Sequence, residues 1–256
     1  MPVAARAVHA ALDGGIDAAD RLIVALDFPT VDDAYRVVDQ LGTSVRFYKI
    51  GLQLQFAPKL RKLFKRLVLD GKKIFLDFKY IDIPATIEGV VRAVSELDIK
   101  FVTVIGQAPI VEAAIKGKGN SSLEILAVTL LTGMSEEDMR RAYSTDLSLE
   151  DFVITRAKDV IGLGCDGLIS SPREVKVIRD SMPNREFTVV TPGIRPLGAD
   201  KDDQKRIATP YEAVASGADY LVVGRPITRH RQPAEVARGI IDQMQTAFDE
   251  QTAYAE

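Results

Sequence analysis

Short apolar runs alternate with amphipathic stretches along almost the whole chain, and this alternation constrains the fold more than any single motif. Residues 22–26, 46–50, 73–78, 101–104, 124–130, 167–170, 187–191 and 219–223 each read as a buried strand. Amphipathic segments separate them. Thr30, followed by Asp32 and Asp33, reads as the cap of a first helix. A second helix runs through about residue 68, another starts near Pro84, and a last one covers about residues 234–248. Strands alternating with helices form a parallel sheet. Eight such units in 256 residues favour a closed (β/α)8 barrel, an α/β TIM barrel, over an open doubly wound sheet. The expected organisation is one barrel domain over residues 21–248, with a tail and a lead-in turn or helix at 1–20 and a tail at 249–256. The longest irregular stretch, residues 192–209, is expected to be a lid or binding loop.

Composition narrows the function classes. Hydrophobic residues make up 46% and charged residues 27%, which suits a globular domain with a full core. A net charge of −3 with no basic block argues against nucleic acid as a partner. One cysteine, Cys165, suits a reducing compartment. His9 and His230 lie far apart and no Cys/His cluster has metal-ligand spacing, so no metal is expected. No apolar run approaches the roughly 20 residues needed to span a bilayer. Residues 1–20 lack the basic start and apolar centre of a secretory signal. These features together predict a cytoplasmic protein with no membrane partner.

Charge gathers where strands end. Asp27 follows the first strand, Lys49 closes the second, and Asp77 and Lys79 close the third, with Asp82 just beyond. Arg195 follows the seventh strand and Arg225 the eighth. In barrels, the carboxyl ends of the strands are where active sites are built. Desolvated ions are costly unless they pair, and a salt-bridge network that merely closed the barrel top would need fewer of them. An alternating Asp/Lys array holds both signs ionised in a small space, where it stabilises charge that develops during a reaction. A lysine flanked by carboxylates stays charged and serves as a proton donor, whereas Schiff-base chemistry wants a desolvated one.

Two further motifs, Thr191-Pro192-Gly193-Ile194-Arg195 and Val223-Gly224-Arg225-Pro226-Ile227, place a glycine and an arginine just after a strand. Glycine lets backbone N–H groups approach an anion, and arginine offers a bidentate fork. The loops after strands seven and eight are the usual phosphate site of such barrels, so phosphate binding is expected there. Ser135 ahead of Glu136, Glu137 and Asp138 reads as a helix start, yet Thr132 and Ser135 also put hydroxyls in the loop after strand five. Cys165 reads as a small buried residue and His230 as a surface one.

Ala25-Leu26-Asp27, Lys49-Ile50-Gly51, Asp77-x-Lys79-x-x-Asp82-Ile83-Pro84-x-Thr86, Thr191-Pro-Gly-Ile-Arg195, Asp203-Gln204-x-Arg206 and Gly224-Arg225-Pro-Ile227 together resemble the orotidine 5′-phosphate decarboxylase family, over about residues 21–244. The set looks like the bacterial type, with an extended phosphate loop. The resemblance implies cofactor-free conversion of orotidine 5′-phosphate to UMP, the last step of UMP synthesis, on a homodimer with shared sites. It implies that Lys79 protonates C6 as carbon dioxide leaves, with Asp77 beside the substrate carboxylate. Lys49 and Asp27 would join the charge network and touch the ribose, while Asp82 and Thr86 would reach into the neighbouring subunit's site. Arg195, Gly224 and Arg225 would hold the 5′-phosphate, Gln204 would bridge phosphate and pyrimidine carbonyl, and Thr132 or Ser135 would read the base.

This chain departs from the family pattern at Ile81 and Ile105, where many bacterial members carry histidine. Sister enzymes acting on sugar phosphates with a divalent ion share the Asp-x-Lys-x-x-Asp core. They typically carry an acid where Lys49 stands, and they lack the Asp82-Ile83-Pro84 continuation. A non-catalytic nucleotide-binding barrel is the remaining alternative; the intact Asp77, Lys79 and Asp82 speak against it.

Overall fold

A computed structural model describes residues 17–196 and 206–253. Its eight strands are β1 (Leu22–Ala25), β2 (Phe47–Gly51), β3 (Lys73–Tyr80), β4 (Phe101–Ile105), β5 (Glu124–Val128), β6 (Gly167–Ile169), β7 (Thr188–Thr191) and β8 (Tyr220–Val223). Each pairs in parallel with the next, and β8 returns to β1, closing the barrel. The expected (β/α)8 architecture is the one observed.

Strand period decides what the barrel holds. Side chains two apart share a face, so β2 turns Phe47, Lys49 and Gly51 inward, β3 turns Phe75 and Asp77, and β4 turns Phe101, Thr103 and Ile105. The lower inward layer is aromatic. Phe101 lies 5.3 Å from Phe47, 5.9 Å from Phe75 and 5.0 Å from Tyr220, ring centre to ring centre. The next layer up is charged. Outward residues such as Val24, Tyr48, Ile74, Val102 and Leu168 pack under the helices in a second, larger core.

The helices obey their local signals. The Thr30 hydroxyl accepts from Asp33 N–H at 3.1 Å and opens the helix Val31–Leu41. That helix buries Val31, Ala34, Val37, Val38 and Leu41, at helical spacing. Pro84 opens the helix Pro84–Ser95. After β2 the chain makes a 3-10 turn at Leu52–Leu54 before the helix Leu60–Leu69. The final helix runs Pro233–Ala253, past the boundary at residue 248 that apolar periodicity indicated. Polar contacts carry it on: Gln251 donates to the Val214 carbonyl at 2.7 Å, and Glu250 accepts from the Tyr211 hydroxyl. At the other end, Ala18–Asp20 forms a 3-10 turn, a lead-in of the kind expected before β1. Arg46 ties it down through Asp17 at 2.8 Å and Asp20 at 3.2 Å. Among the described residues, no helix is long and apolar enough to cross a membrane.

Candidate active site

The charged layer stands at the carboxyl ends of β1, β2 and β3, with β4 behind it. Lys49 is 8% exposed; its Nζ donates to Asp27 Oδ1 at 2.8 Å and lies 3.4 Å from Asp77 Oδ2. Lys79 Nζ donates to the other oxygen of Asp77, Oδ1, at 2.8 Å. The four side chains therefore form a chain of alternating sign: Asp27, Lys49, Asp77, Lys79. Gly51 is what lets it close up. A Cβ at that position would stand 2.7 Å from Asp27 Oδ1 and 3.0 Å from Lys49 Nζ.

Burial and charge pull the titrations in opposite directions, and charge wins. Burial alone would push the Asp77 carboxyl up, but Lys49 and Lys79, with hydrogen bonds from Lys79 and Thr103, hold it below the usual carboxylate range. Burial would likewise push the Lys49 ammonium down; Asp77 and Asp27 raise it above its ordinary value. Asp77 and Lys49 thus stay ionised next to each other. The aromatic layer beneath puts the rings of Phe47, Phe75 and Phe101 under these fixed charges, which therefore act in a medium of low polarisability.

The backbone that presents Lys79 is unusual. Lys79 has φ +50°, left-handed geometry that side-chain-bearing residues pay on the order of 1–3 kcal/mol to adopt. It sits in a bulge: Leu76 pairs with Val102 and Tyr80 with Val104, so three residues of β3 oppose Thr103 alone. The Thr103 hydroxyl fills the gap, accepting from Lys79 N–H at 2.9 Å and donating to Asp77 Oδ1 at 3.0 Å. Sequence reading missed Thr103, because a threonine in an apolar strand signals nothing by itself.

The array walls a cavity of about 770 Å³ that extends across the barrel mouth to β7 and β8. Gly193, Arg195, Gly224 and Arg225 line its far side, and Arg229 lines it too, a third arginine not foreseen. The main chain around Arg195 is held by a bridge between Ile194 and Ala208, with Arg195 N–H donating to the Ala208 carbonyl at 2.9 Å. Arg225 opens the four-residue helix Arg225–Thr228 immediately after Gly224. Thr132 lines the cavity. Ser135 does not; its hydroxyl accepts from Asp138 N–H at 3.2 Å and caps the helix Glu136–Tyr143 in a capping box. Asp82 and Thr86 are exposed on the loop and first helical turn after β3, outside the cavity wall. Gln204 lies outside the described residues.

A second buried ion pair went unread. Arg206 donates to Glu174 Oε1 at 2.8 Å, to the Thr132 carbonyl at 3.1 Å and to the Leu131 carbonyl at 3.0 Å. It therefore joins the loops after β5, β6 and β7. Burial pushes the Glu174 carboxyl up despite that arginine. The two residues are 32 apart, and no local pattern links them. Cys165 is buried as expected, which pushes its thiol up to about 11.

Comparison with known proteins points one way. Residues 20–240 match the family model described as orotidine 5′-phosphate decarboxylase / HUMPS family. An orotidine 5′-phosphate decarboxylase of Nitrobacter winogradskyi is 44% identical over 90% of this chain and 95% of its own length. One from Bradyrhizobium diazoefficiens is 46% identical over 86% of this chain and 92% of its own. The crystal structure of orotidine 5′-phosphate decarboxylase from Lactobacillus acidophilus superposes with a TM-score of 0.76 at 34% identity, covering 88% of this chain and 99% of that one.

Proposed function

The chain belongs to the orotidine 5′-phosphate decarboxylase / HUMPS family, and we propose that it converts orotidine 5′-phosphate to UMP, in pyrimidine biosynthesis, with no cofactor. The observation that carries this is the alternating Asp27–Lys49–Asp77–Lys79 array on the cavity wall. Loss of carbon dioxide from an unactivated ring carbon leaves a localised carbanion, which must be stabilised by fixed charge and protonated at once. Lys79 Nζ, which reaches into the cavity past Asp77, delivers that proton to C6. Asp77 faces the departing carboxylate and holds Lys79 in line; Lys49 and Asp27 keep Asp77 placed and meet the ribose.

Charge count supports the substrate. Of the described cavity-lining residues, Lys49, Lys79, Arg195, Arg225 and Arg229 are cationic and Asp27 and Asp77 anionic, a surplus of three positive charges. A phosphate dianion plus a carboxylate supplies three negative ones. Gly193, Arg195, Gly224 and Arg225 take the phosphate end, with Gln204 bridging from phosphate to the pyrimidine. Thr132, on the wall, is better placed than the helix-capping Ser135 to read the base. Gripping the remote phosphate lets binding energy order the reacting end.

The family description also spans a second branch. Lys49 argues for the decarboxylase branch, since the metal-dependent sugar-phosphate enzymes typically place an acid there. An ammonium ion-paired with two carboxylates occupies the room a divalent ion would need.

The protein acts as a homodimer in this reading. Leu52 (55% exposed) and Phe56 (89%) follow β2, and Ile81 (60%) and Ile83 (67%) flank Asp82 after β3. Apolar exposure on this scale suits a partner subunit, across which Asp82 and Thr86 would complete a site. Mixing Lys79→Ala with Asp82→Ala subunits should restore activity, because one hybrid site is intact. No restoration under proven subunit exchange would remove the shared-site assignment. A cytoplasmic setting goes with this function, and cell fractionation tests it.

The assay that decides the function follows the ultraviolet absorbance of orotidine 5′-phosphate with purified protein in excess EDTA. Loss of absorbance with UMP as product supports the proposal. No change with EDTA, but turnover of a sugar phosphate once magnesium is added, would transfer the chain to the other branch. UMP binding without either activity would make it a non-catalytic barrel.

A further inference from the structure

We propose that Thr103 is a positioning residue for the reaction, its hydroxyl fixing both the backbone from which Lys79 extends and the carboxylate to which Lys79 is tethered. The inference rests on the decarboxylase assignment above and goes beyond it, to a residue that touches neither the cavity nor, by its geometry, the substrate.

The proton count leaves one arrangement. A threonine hydroxyl has one hydrogen to give and lone pairs to accept with. A backbone N–H only donates, so Lys79 N–H must give its hydrogen to Thr103 Oγ1 at 2.9 Å. An ionised carboxylate only accepts, so the Thr103 hydrogen must point at Asp77 Oδ1, 3.0 Å away. That same Oδ1 receives Lys79 Nζ at 2.8 Å. Main chain of Lys79, hydroxyl of Thr103, carboxylate of Asp77 and ammonium of Lys79 therefore close a ring.

The ring answers a need that the bulge creates. Three residues of β3 face Thr103 alone, and the main-chain N–H of Lys79 is left without a strand partner there. A buried N–H without an acceptor is costly, and a left-handed residue persists only where its surroundings over-determine it. Thr103 is wholly buried, and β-branching restricts its rotamer, so it offers the acceptor in one place. Its hydroxyl also holds Asp77 from the side opposite Lys49. Without it, Lys79 could relax toward ordinary strand geometry and swing its ammonium off the line to the reacting carbon.

The experiment compares Thr103→Val and Thr103→Ser with the parent for kcat, KM, UMP affinity and melting temperature. Val keeps the shape and removes the hydroxyl; Ser keeps the hydroxyl. Displacement of about 1 Å at a reacting group costs about 10²-fold, so Thr103→Val should lose kcat on that order while UMP affinity stays within about 3-fold. Thr103→Ser should recover most of kcat. A folded Thr103→Val with parental kcat overturns the proposal, as does a folded Thr103→Ser as impaired as Val. Equal loss of kcat and UMP affinity would mark a merely structural residue and also overturn it. If Thr103→Val does not fold, Thr103→Cys, of similar size with a weak hydrogen-bonding thiol, replaces it under the same criteria. A parent inactive on orotidine 5′-phosphate would instead defeat the functional assignment, so the two failures are distinguishable.

Discussion

The barrel carries buried ion pairs at both ends, and they are built differently. At the amino end, Arg179 donates to Asp219 Oδ2 at 2.7 Å, to the Phe187 carbonyl at 2.8 Å and to the Gly217 carbonyl at 3.1 Å, and stacks on the Phe187 ring at 4.4 Å. Asp219 Oδ2 accepts in addition from Val189 N–H at 2.7 Å. These groups spend their polarity on neighbouring main chain and bind strands β7 and β8 together. At the carboxyl end, Lys79 has three hydrogens to give, and its ammonium has Asp77 as its sole hydrogen-bond partner among the described residues. Its side chain is 31% exposed, toward the cavity. A cation–carboxylate pair makes a clamp when its hydrogen-bonding capacity is met by protein, and a candidate reactive site when ammonium hydrogens are left facing the cavity.

This contrast can be attacked from either end. The largest effect belongs to Lys79→Ala, which should lower kcat by at least about 10⁴-fold, the upper range for a lost proton donor, while UMP still binds. Retained turnover would show that the open donor is not the functional one. Next is Asp219→Ala, which takes the Oδ2 acceptor from both Arg179 and the buried Val189 N–H. Denaturant unfolding should show a loss of about 3 kcal/mol, with kcat per folded molecule unchanged. A drop in kcat there would erase the distinction between the two ends. Arg225→Ala should weaken UMP binding by about 1.5–3 kcal/mol by calorimetry, the range for a hydrogen bond to a charged group; unchanged affinity would move the phosphate site. Gly51→Ala pushes a methyl into Asp27 and should lower kcat/KM about 10-fold with little loss of melting temperature, since the Asp27 side chain has room to retreat.

The smallest effect is on pH dependence. Asp77 has its native pKa below the ordinary 3.8 and Lys49 above the ordinary 10.5. The stabilisation tied to Asp77 is therefore complete above the unfolded value and lost only as pH falls through the lowered native one. That tied to Lys49 is complete below its unfolded value and lost as pH rises through the raised native one. Melting temperatures of the parent and Asp77→Asn should accordingly run parallel between about pH 5 and about pH 9. Curves that converge inside that window would mean that the array is not held ionised as described.

Much of this was legible in the sequence because barrels write their plan in short range. Eight apolar runs gave the strands within a residue or two, and the carboxyl end of each strand placed Asp27, Lys49, Asp77, Arg195 and Arg225 at one mouth. What escaped depends on register. A strand read from 73 to 78 runs to Tyr80 through a bulge, and only pairing with β4 reveals that three residues there face Thr103. Arg206 was visible as part of a motif, but its partner Glu174 comes from a different loop, and no local spacing joins them. Ser135 shows a limit of another kind, since one hydroxyl suits a cap and a ligand equally well until the helix claims it.

The aromatic layer under the array has a consequence for traffic. Phe47, Phe75, Phe101 and Tyr220 fill the barrel below the charges, and Arg21 lies over the outer face of Tyr220 at 4.6 Å. The barrel is thus a vessel with one opening. In the proposed reaction, gas released at its closed end leaves by the door through which the nucleotide entered, and a proton given by Lys79 would have to be replaced from that same side.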